Sequence, residues 1–219
     1  MKKSAVVVHS GGMDSSICLA LAIREHGKEN VLSLSFQYDQ RHVSEIAAAK
    51  KICQEFGVDQ KVLEINCLKE ITEDALTHHS LPLKIHSTGE PSTLVVGRNG
   101  LMARLGAIHA HHLGASCIYM GVIEVEESNS GYRDCSRRYM DLMQQILRID
   151  LNDPEFEIRT PLVKMTKLET IELAHTLGLL PFFLKHTITC YEGLASEGCR
   201  VCPACVLRNE AIDQFKRKN

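Results

Sequence analysis

No run of apolar residues in this sequence approaches the length needed to cross a bilayer. The apolar stretch near the N-terminus, residues 5–8, gives way at once to His9, Ser10 and two glycines. That is far too short for the apolar region of a secretory signal, so a cytoplasmic protein is expected. Charge is also lacking: the formal net charge is only −2 at pH 7, which argues against a strong, sequence-independent grip on nucleic acid. Neither an internal repeat nor a low-complexity tract is present. Nine cysteines, an odd number, make a disulfide framework a poor explanation for a chain of this length. Finally, no lysine follows Gly11 and Gly12, so the G-x-x-x-x-G-K-[ST] nucleotide loop is excluded.

What remains is an ordinary globular composition, 44% hydrophobic and 24% charged over 219 residues, enough for one full core. Apolar runs rich in β-branched residues alternate with helical patterns, which predicts an α/β fold with a parallel sheet. Strands are expected at residues 5–8, 31–36, 61–65 and 117–122, and helices at 14–26, 44–56 and 99–113. The segment SEIAAAKKICQEFG has a serine at its start and a closing glycine. Residues 77–96 hold prolines, glycine, His and Ser without a period and read as a loop or lid. Thr166 stands three residues before Glu169, a capping box opening a helix that ends by Gly178.

Two motifs carry chemistry. In HSGGMDSS, the glycines let the backbone turn tightly, and the helix that follows adds the positive end of its dipole. Hydroxyls of Ser10, Ser15 and Ser16 suit phosphate oxygens. The Asp14 carboxylate suits a bridging magnesium ion, or caps the helix. The second motif is C-x8-C-x2-C-x2-C, formed by Cys190, Cys199, Cys202 and Cys205. Four thiolates at knuckle spacing point to structural zinc, with paired disulfides or an iron–sulfur cluster as alternatives. The other cysteines, Cys18, Cys53, Cys67, Cys117 and Cys135, read as small buried hydrophobes. An ATP-binding α/β domain over 1–185 and a zinc-binding helical lobe over 186–219 are therefore expected.

The pattern S-G-G-x-D-S resembles the loop of the PP-loop ATP pyrophosphatases. Together with YDQRH, VVGRN, SGYRDC, RTPLVKMTKLE and TCYEG in this order, it makes the chain similar to the 7-cyano-7-deazaguanine synthases of the queuosine precursor pathway. The resemblance implies a Rossmann-like sheet of the adenine nucleotide alpha hydrolase type. It further implies an ATP-dependent carbon–nitrogen ligase: 7-carboxy-7-deazaguanine is adenylated, ammonia displaces AMP to give an amide, and a second ATP-dependent activation yields the nitrile. ATP and Mg2+ are the implied cofactors, with Zn2+ in the cysteine lobe. Residues 10–16, Ser10, Gly11, Gly12, Met13, Asp14, Ser15 and Ser16, would hold the nucleotide, and a homodimer without membrane or stable nucleic-acid partners is implied.

Residue roles follow from the matching positions. Lys167 would neutralise charge as pyrophosphate leaves, with Lys164 the solvated neighbour. Arg98 would take phosphate or the substrate carboxylate bidentately, with Asp14 completing the catalytic set. Arg41 and His42 would face nucleotide or carboxylate, and Tyr132 would stack on the base. Asp134 either accepts from the two donors of a guanine-like edge or caps the helix from Ser136. Val96, Asp39 and Arg133 stand where the family usually has proline, glycine and proline, and an acidic segment spans 124–127. A PP-loop enzyme acting on a related nucleobase acid or on tRNA, and a noncatalytic zinc-stapled nucleic-acid module, are the competing readings.

Overall fold

The computed structural model describes residues 2–38, 44–71, 94–125 and 132–218. Five parallel strands form one sheet in the order β3-β2-β1-β4-β5. They are β1 (Ala5–Val8), β2 (Val31–Gln37), β3 (Asp59–Glu64), β4 (Cys117–Met120) and β5 (Glu157–Arg159). The helices are α1 (Met13–His26), α2 (Ser44–Phe56), α3 (Leu68–Ile71), α4 (Arg98–His112), α5 (Arg137–Leu151), α6 (Lys167–Thr176), α7 (Leu180–His186) and α8 (Pro203–Lys218).

Strand β1 is central and pairs on both sides, Ala5 opposite Val31 of β2 and opposite Cys117 of β4. Both faces of such a strand are covered, which is why its sequence is apolar throughout and does not alternate. Val6, Leu32, Leu34, Phe36 and Ile118 pack into a cluster with Met102, Ala103 and Ala107 of α4 and Met140 and Leu147 of α5. On the opposite face Ala5, Val7, Val31 and Tyr119 meet Ile17 and Leu19 of α1, Ile171 and Ala174 of α6, and Phe183 of α7. Each fully buried aliphatic side chain here stabilises the fold by about 1.5–3 kcal/mol.

The connections after β1 and β4 depart to opposite sides of the sheet, so a crevice opens between the carboxyl ends of these neighbouring strands. Open α/β sheets bind their ligands at such a point. Strand β4 ends at Met120, two residues before the expected 122. A Cβ added to Gly121 would lie 2.8 Å from the Ser15 backbone nitrogen, so the chain must leave the sheet with no side chain there. Strand β3 begins two residues before the expected 61, because Asp59 pairs in register with Leu32 and holds Lys3 at 2.8 Å.

Helix boundaries follow local chemistry. The capping box is present: Thr166 Oγ1 accepts from Glu169 N–H, and the Glu169 carboxylate accepts from Thr166 N–H. Ser136 caps α5 by accepting from Tyr139 N–H at 3.2 Å. Gly57 and Gly178 close α2 and the α6 turn with φ of +66° and +72°. Cys18, Cys53 and Cys117 are buried as expected, whereas Cys67 is exposed and Cys135 half-buried. Glu124 of the acidic segment is not a solvated charge, since it accepts from Arg137 N–H at 2.7 Å and pairs with the exposed Lys164. The expected loop at 77–96 falls outside the described residues except for its last three, and residues 126 and 127 lie outside them too. Among the described residues no helix is long and apolar enough to cross a membrane.

The last helix does not stand apart. Ala211, Ile212 and Phe215 of α8 pack into the core cluster on the α1 side of the sheet, and Phe215 lies against His175 of α6. The cysteines form a small cluster of their own with Tyr191 and Ala204.

Candidate active site

A cavity of about 320 Å3 opens at the crevice between β1 and β4. Ser10, Gly12, Met13, Asp14 and Ser15 form its floor, and Gly121, Arg98, Lys167 and Tyr132 its sides. The turn from β1 into α1 depends on Gly11, whose φ is +88° and whose added Cβ would meet the Glu45 carbonyl oxygen at 2.2 Å. Only glycine fits a backbone packed this closely in the left-handed region. Gly12 is the N-cap of α1 and supplies no side-chain oxygen to the first turn. The amides of that turn and the positive end of the helix thus meet the cavity, an arrangement suited to an anion.

Hydroxyls hold this turn in shape. Ser10 Oγ accepts from Gly12 N–H at 3.3 Å and lies 3.1 Å from Ser15 Oγ. Ser15 and Ser16 hydroxyls both donate to the Gly12 carbonyl, at 3.1 and 2.7 Å. Beneath them sits His9, fully buried between Ser33 and Ser16 at 3.0 and 3.1 Å. Because Ser16 gives its one hydroxyl proton to Gly12, His9 Nε2 carries the hydrogen of that contact, and Nδ1 accepts from Ser33. Burial pushes the His9 pKa down to about 3, so the imidazole is neutral.

Lys167, the first residue of α6, donates to both carboxylate oxygens of Asp14 at 2.9 and 2.7 Å. The capping box at Thr166 fixes the start of α6 and so aims this lysine across the cavity. A cation and a carboxylate therefore stand beside the uncapped turn. Magnesium is commonly held by one or two carboxylates plus phosphate oxygens, and Asp14 fits that donor set. Lys164, three residues earlier, is exposed and turned to Glu124.

Arg98 opens α4, as its position before the helix predicts. Its guanidinium lies 5.8 Å from the Tyr38 ring centre and 5.9 Å from that of Tyr132, and donates to Tyr38 Oη at 3.3 Å. Two aromatic faces hold the fork in place. Tyr132 thus lines the cavity, but with Arg98 over its ring. Asp134 does not cap the helix that follows it. Its two oxygens accept from the backbone N–H and the side-chain amide of Asn99, at 2.9 and 3.0 Å, so it caps α4. The Asn99 amide also donates to Cys135 Sγ at 3.4 Å, which occupies both its hydrogens, and Asn99 itself lines the cavity. Arg41 and His42 lie outside the described residues.

The lining residues Tyr191, Gly193 and Ala204 come from the cysteine lobe, which makes that lobe a wall of the site. Sulfurs of Cys190, Cys199, Cys202 and Cys205 lie within 4.8 Å of one another. Sulfurs about 2.3 Å from a tetrahedral ion sit about 3.8 Å apart, so a metal ion fits with little movement. The backbone agrees: Glu192 and Cys199 N–H point at Cys190 Sγ at 3.4 and 3.3 Å, and Cys202 N–H at Cys199 Sγ at 3.2 Å. Such donors stabilise thiolate. Gly198, with φ of +65°, leaves room for the sulfurs, since a Cβ there would lie 2.3 Å from Cys205 Sγ.

A family profile described as "QueC: Queuosine biosynthesis protein QueC" matches residues 4–216, nearly the whole chain. The chain belongs to the QueC family. Membership places it in queuosine biosynthesis as an ATP-using PP-loop enzyme. Solved structures agree on the architecture. An NH3-dependent NAD synthetase from Campylobacter jejuni subsp. jejuni NCTC 11168, solved in complex with the nitrate ion, is similar with TM-score 0.52 and 19% identity, over 84% of this chain and 67% of that one. An NMN synthetase from Francisella tularensis is similar with TM-score 0.50 and 16% identity, over 100% and 79%. At these identities the likeness extends to the fold alone.

Several residues of this QueC-family site carry no sequence signal of their own. His9, Glu45, Asn99 and Gly121 line the cavity, yet each reads locally as an ordinary strand, helix or turn residue. For His9 the apolar run of residues 5–8 just before it is the one local sign that its ring is enclosed.

Proposed function

We propose that this protein converts 7-carboxy-7-deazaguanine and ammonia to 7-cyano-7-deazaguanine, using two ATP molecules and releasing AMP and pyrophosphate from each. The observation that carries the reading is the uncapped glycine turn at the carboxyl end of β1, with the Lys167–Asp14 pair beside it. A carboxylate is a poor electrophile, and making it an acyl-adenylate requires a leaving pyrophosphate to be held. The amides of residues 11–15 and the hydroxyl of Ser10 suit that task, while the Ser15 and Ser16 hydroxyls brace the turn through the Gly12 carbonyl. Mg2+ would be held by Asp14 and phosphate oxygens, and would offset charge on the outer phosphates. Lys167, then shared between Asp14 and phosphate, stabilises the negative charge that grows as pyrophosphate departs.

Arg98 would take the substrate carboxylate or a phosphate bidentately, presented by Tyr38 and Tyr132. Tyr132 would border the base, and Asp134 would act on it through Asn99, whose Oδ1 can accept from the base's donor edge. The four cysteines would hold zinc, which closes the lobe and takes no part in the chemistry. A cytoplasmic homodimer is consistent with the exposed apolar stripe of Leu142, Ile146 and Ile149 on α5, and light scattering tests it.

Incubating the protein with ATP, magnesium, ammonium and 7-carboxy-7-deazaguanine should give the nitrile by mass, with two AMP per nitrile. ADP as the nucleotide product would refute cleavage between the α and β phosphates.

A further inference from the structure

Amide formation needs a base as well as an electrophile. The attacking nitrogen of ammonia must give up a proton once its lone pair has bonded to carbon, or the tetrahedral species simply reverts. The described groups that line the cavity can be sorted for this task. His9 is enclosed, with one nitrogen protonated toward Ser16 and the other accepting from Ser33. Asp14 accepts from Lys167 on both oxygens. Burial pushes the Cys135 thiol up to about 12, and Tyr38 is also raised by burial, so neither is an available base near neutral pH. One further carboxyl lines the cavity, that of Glu45 in the first turn of α2.

From the position of Glu45, we propose that its carboxylate is the general base for ammonia, taking the proton from the attacking nitrogen as AMP leaves. The proposal rests on the acyl-adenylate reading above. Two observations place Glu45 for it. Its carbonyl packs against Gly11, so the first turn of α2 abuts the phosphate turn itself. It lines the cavity with Arg98, and among the described residues the two form no ion pair within 4 Å, so Arg98 acts on Glu45 only from a longer distance. In the step, nitrogen bonds to the acyl carbon, and the bond from that carbon to the adenylate oxygen breaks with its electron pair going to AMP. The N–H proton passes to Glu45 and from there to solvent, for a balance of acyl-adenylate plus ammonia to amide, AMP and a proton. Burial holds the Glu45 carboxyl up at about 7, opposed by Arg98, so it is basic enough to accept a proton and still ionised in part at neutral pH. Arg98 from α4, Tyr38 after β2 and, across the cavity, His9, Asp14, Tyr132, Cys135, Lys167, Cys190 and Tyr191 are the described charged or titratable groups around it.

The test is Glu45→Gln, which keeps shape and removes the base. Pyrophosphate exchange into ATP that depends on 7-carboxy-7-deazaguanine should stay within about threefold of the unsubstituted protein, whereas kcat/KM for ammonium should fall on the order of 10²-fold, a typical general-base contribution. Hydroxylamine, a nucleophile that is neutral and less basic at pH 7, should recover much of that loss. On the unsubstituted protein, AMP release at constant free NH3 should decline below pH about 7 as Glu45 takes up its proton, while the exchange should not. Full ammonium turnover in Glu45→Gln, or parallel loss of exchange and turnover, overturns the proposal. If the variant does not fold, a common pH profile for exchange and for AMP release at constant free NH3 does so instead. Absence of acid-dependent exchange in the unsubstituted protein would defeat the acyl-adenylate reading itself, a separate result.

Discussion

The phosphate turn and the cysteine lobe sit on the same cavity but are stabilised in opposite ways. The turn is framed by the central strand of a two-faced core, with Val6 and Val7 fully buried just before it, and it presents backbone amides to the cavity. The lobe has almost no apolar core of its own: apart from what α8 contributes to the main core, its cluster has Cys190, Cys202 and Cys205 as its buried members. A site for a ligand that comes and goes must hold its shape empty. A site for a resident ion can let the ion complete the fold.

That contrast breaks first at Gly11. Gly11→Ala places a methyl group against the Glu45 carbonyl at positive φ, and should cost about 3 kcal/mol or more and abolish ATP binding. Urea unfolding and nucleotide titration check both effects. Stripping the metal from the lobe with a strong chelator should act next. Turnover should fall on the order of 10-fold or more and the 190–202 segment should become open to protease, while the sheet stays protected from hydrogen exchange. Equal loss of protection in β1 would mean the lobe is no separate unit of stability.

Replacing Lys167 with Met sharpens the comparison from the side of chemistry. The Lys167–Asp14 pair is partly exposed, so stability should change by no more than about 1 kcal/mol. On the proposed reaction the positive charge acts as pyrophosphate departs, so kcat should fall on the order of 10²-fold. His9 gives the smallest effect. Its pKa is depressed in the fold, from an ordinary 6.5 to about 3, so the unfolded chain binds the extra proton between these values. The stabilisation is complete above pH 6.5 and is lost as pH falls toward about 3. At pH 5 the loss is roughly 2 kcal/mol relative to pH 7. Urea unfolding at the two pH values should show it, and His9→Gln should flatten the difference.

Which parts of this were legible beforehand depended on range. The glycine turn, the capping box and the cysteine spacing are local patterns; Ser10, Gly12, Met13, Asp14 and Ser15 do meet at the cavity and the four cysteines at one point, whereas Gly11 and Ser16 lie behind the turn. Strand β3 was read short because Asp59 and Gln60 look like turn residues until Leu32 and Ser33 are seen beside them. The early end of β4 depends on the approach of Gly121 to Ser15, a contact between segments far apart in the chain. Sequence alone leaves Asp134 between a base edge and the helix beside it, whereas its partner Asn99 lies on the preceding helix. Glu45 showed no pattern, because its meaning comes from the groups that it faces.

The Ile188 N–H donates to the Gly11 carbonyl at 3.1 Å, tying the nucleotide turn to a segment made much later. During synthesis that turn is thus unfinished until residue 188 has left the ribosome. A product truncated before that point carries its first loop without the backbone hydrogen bond that ties it to the far end of the chain.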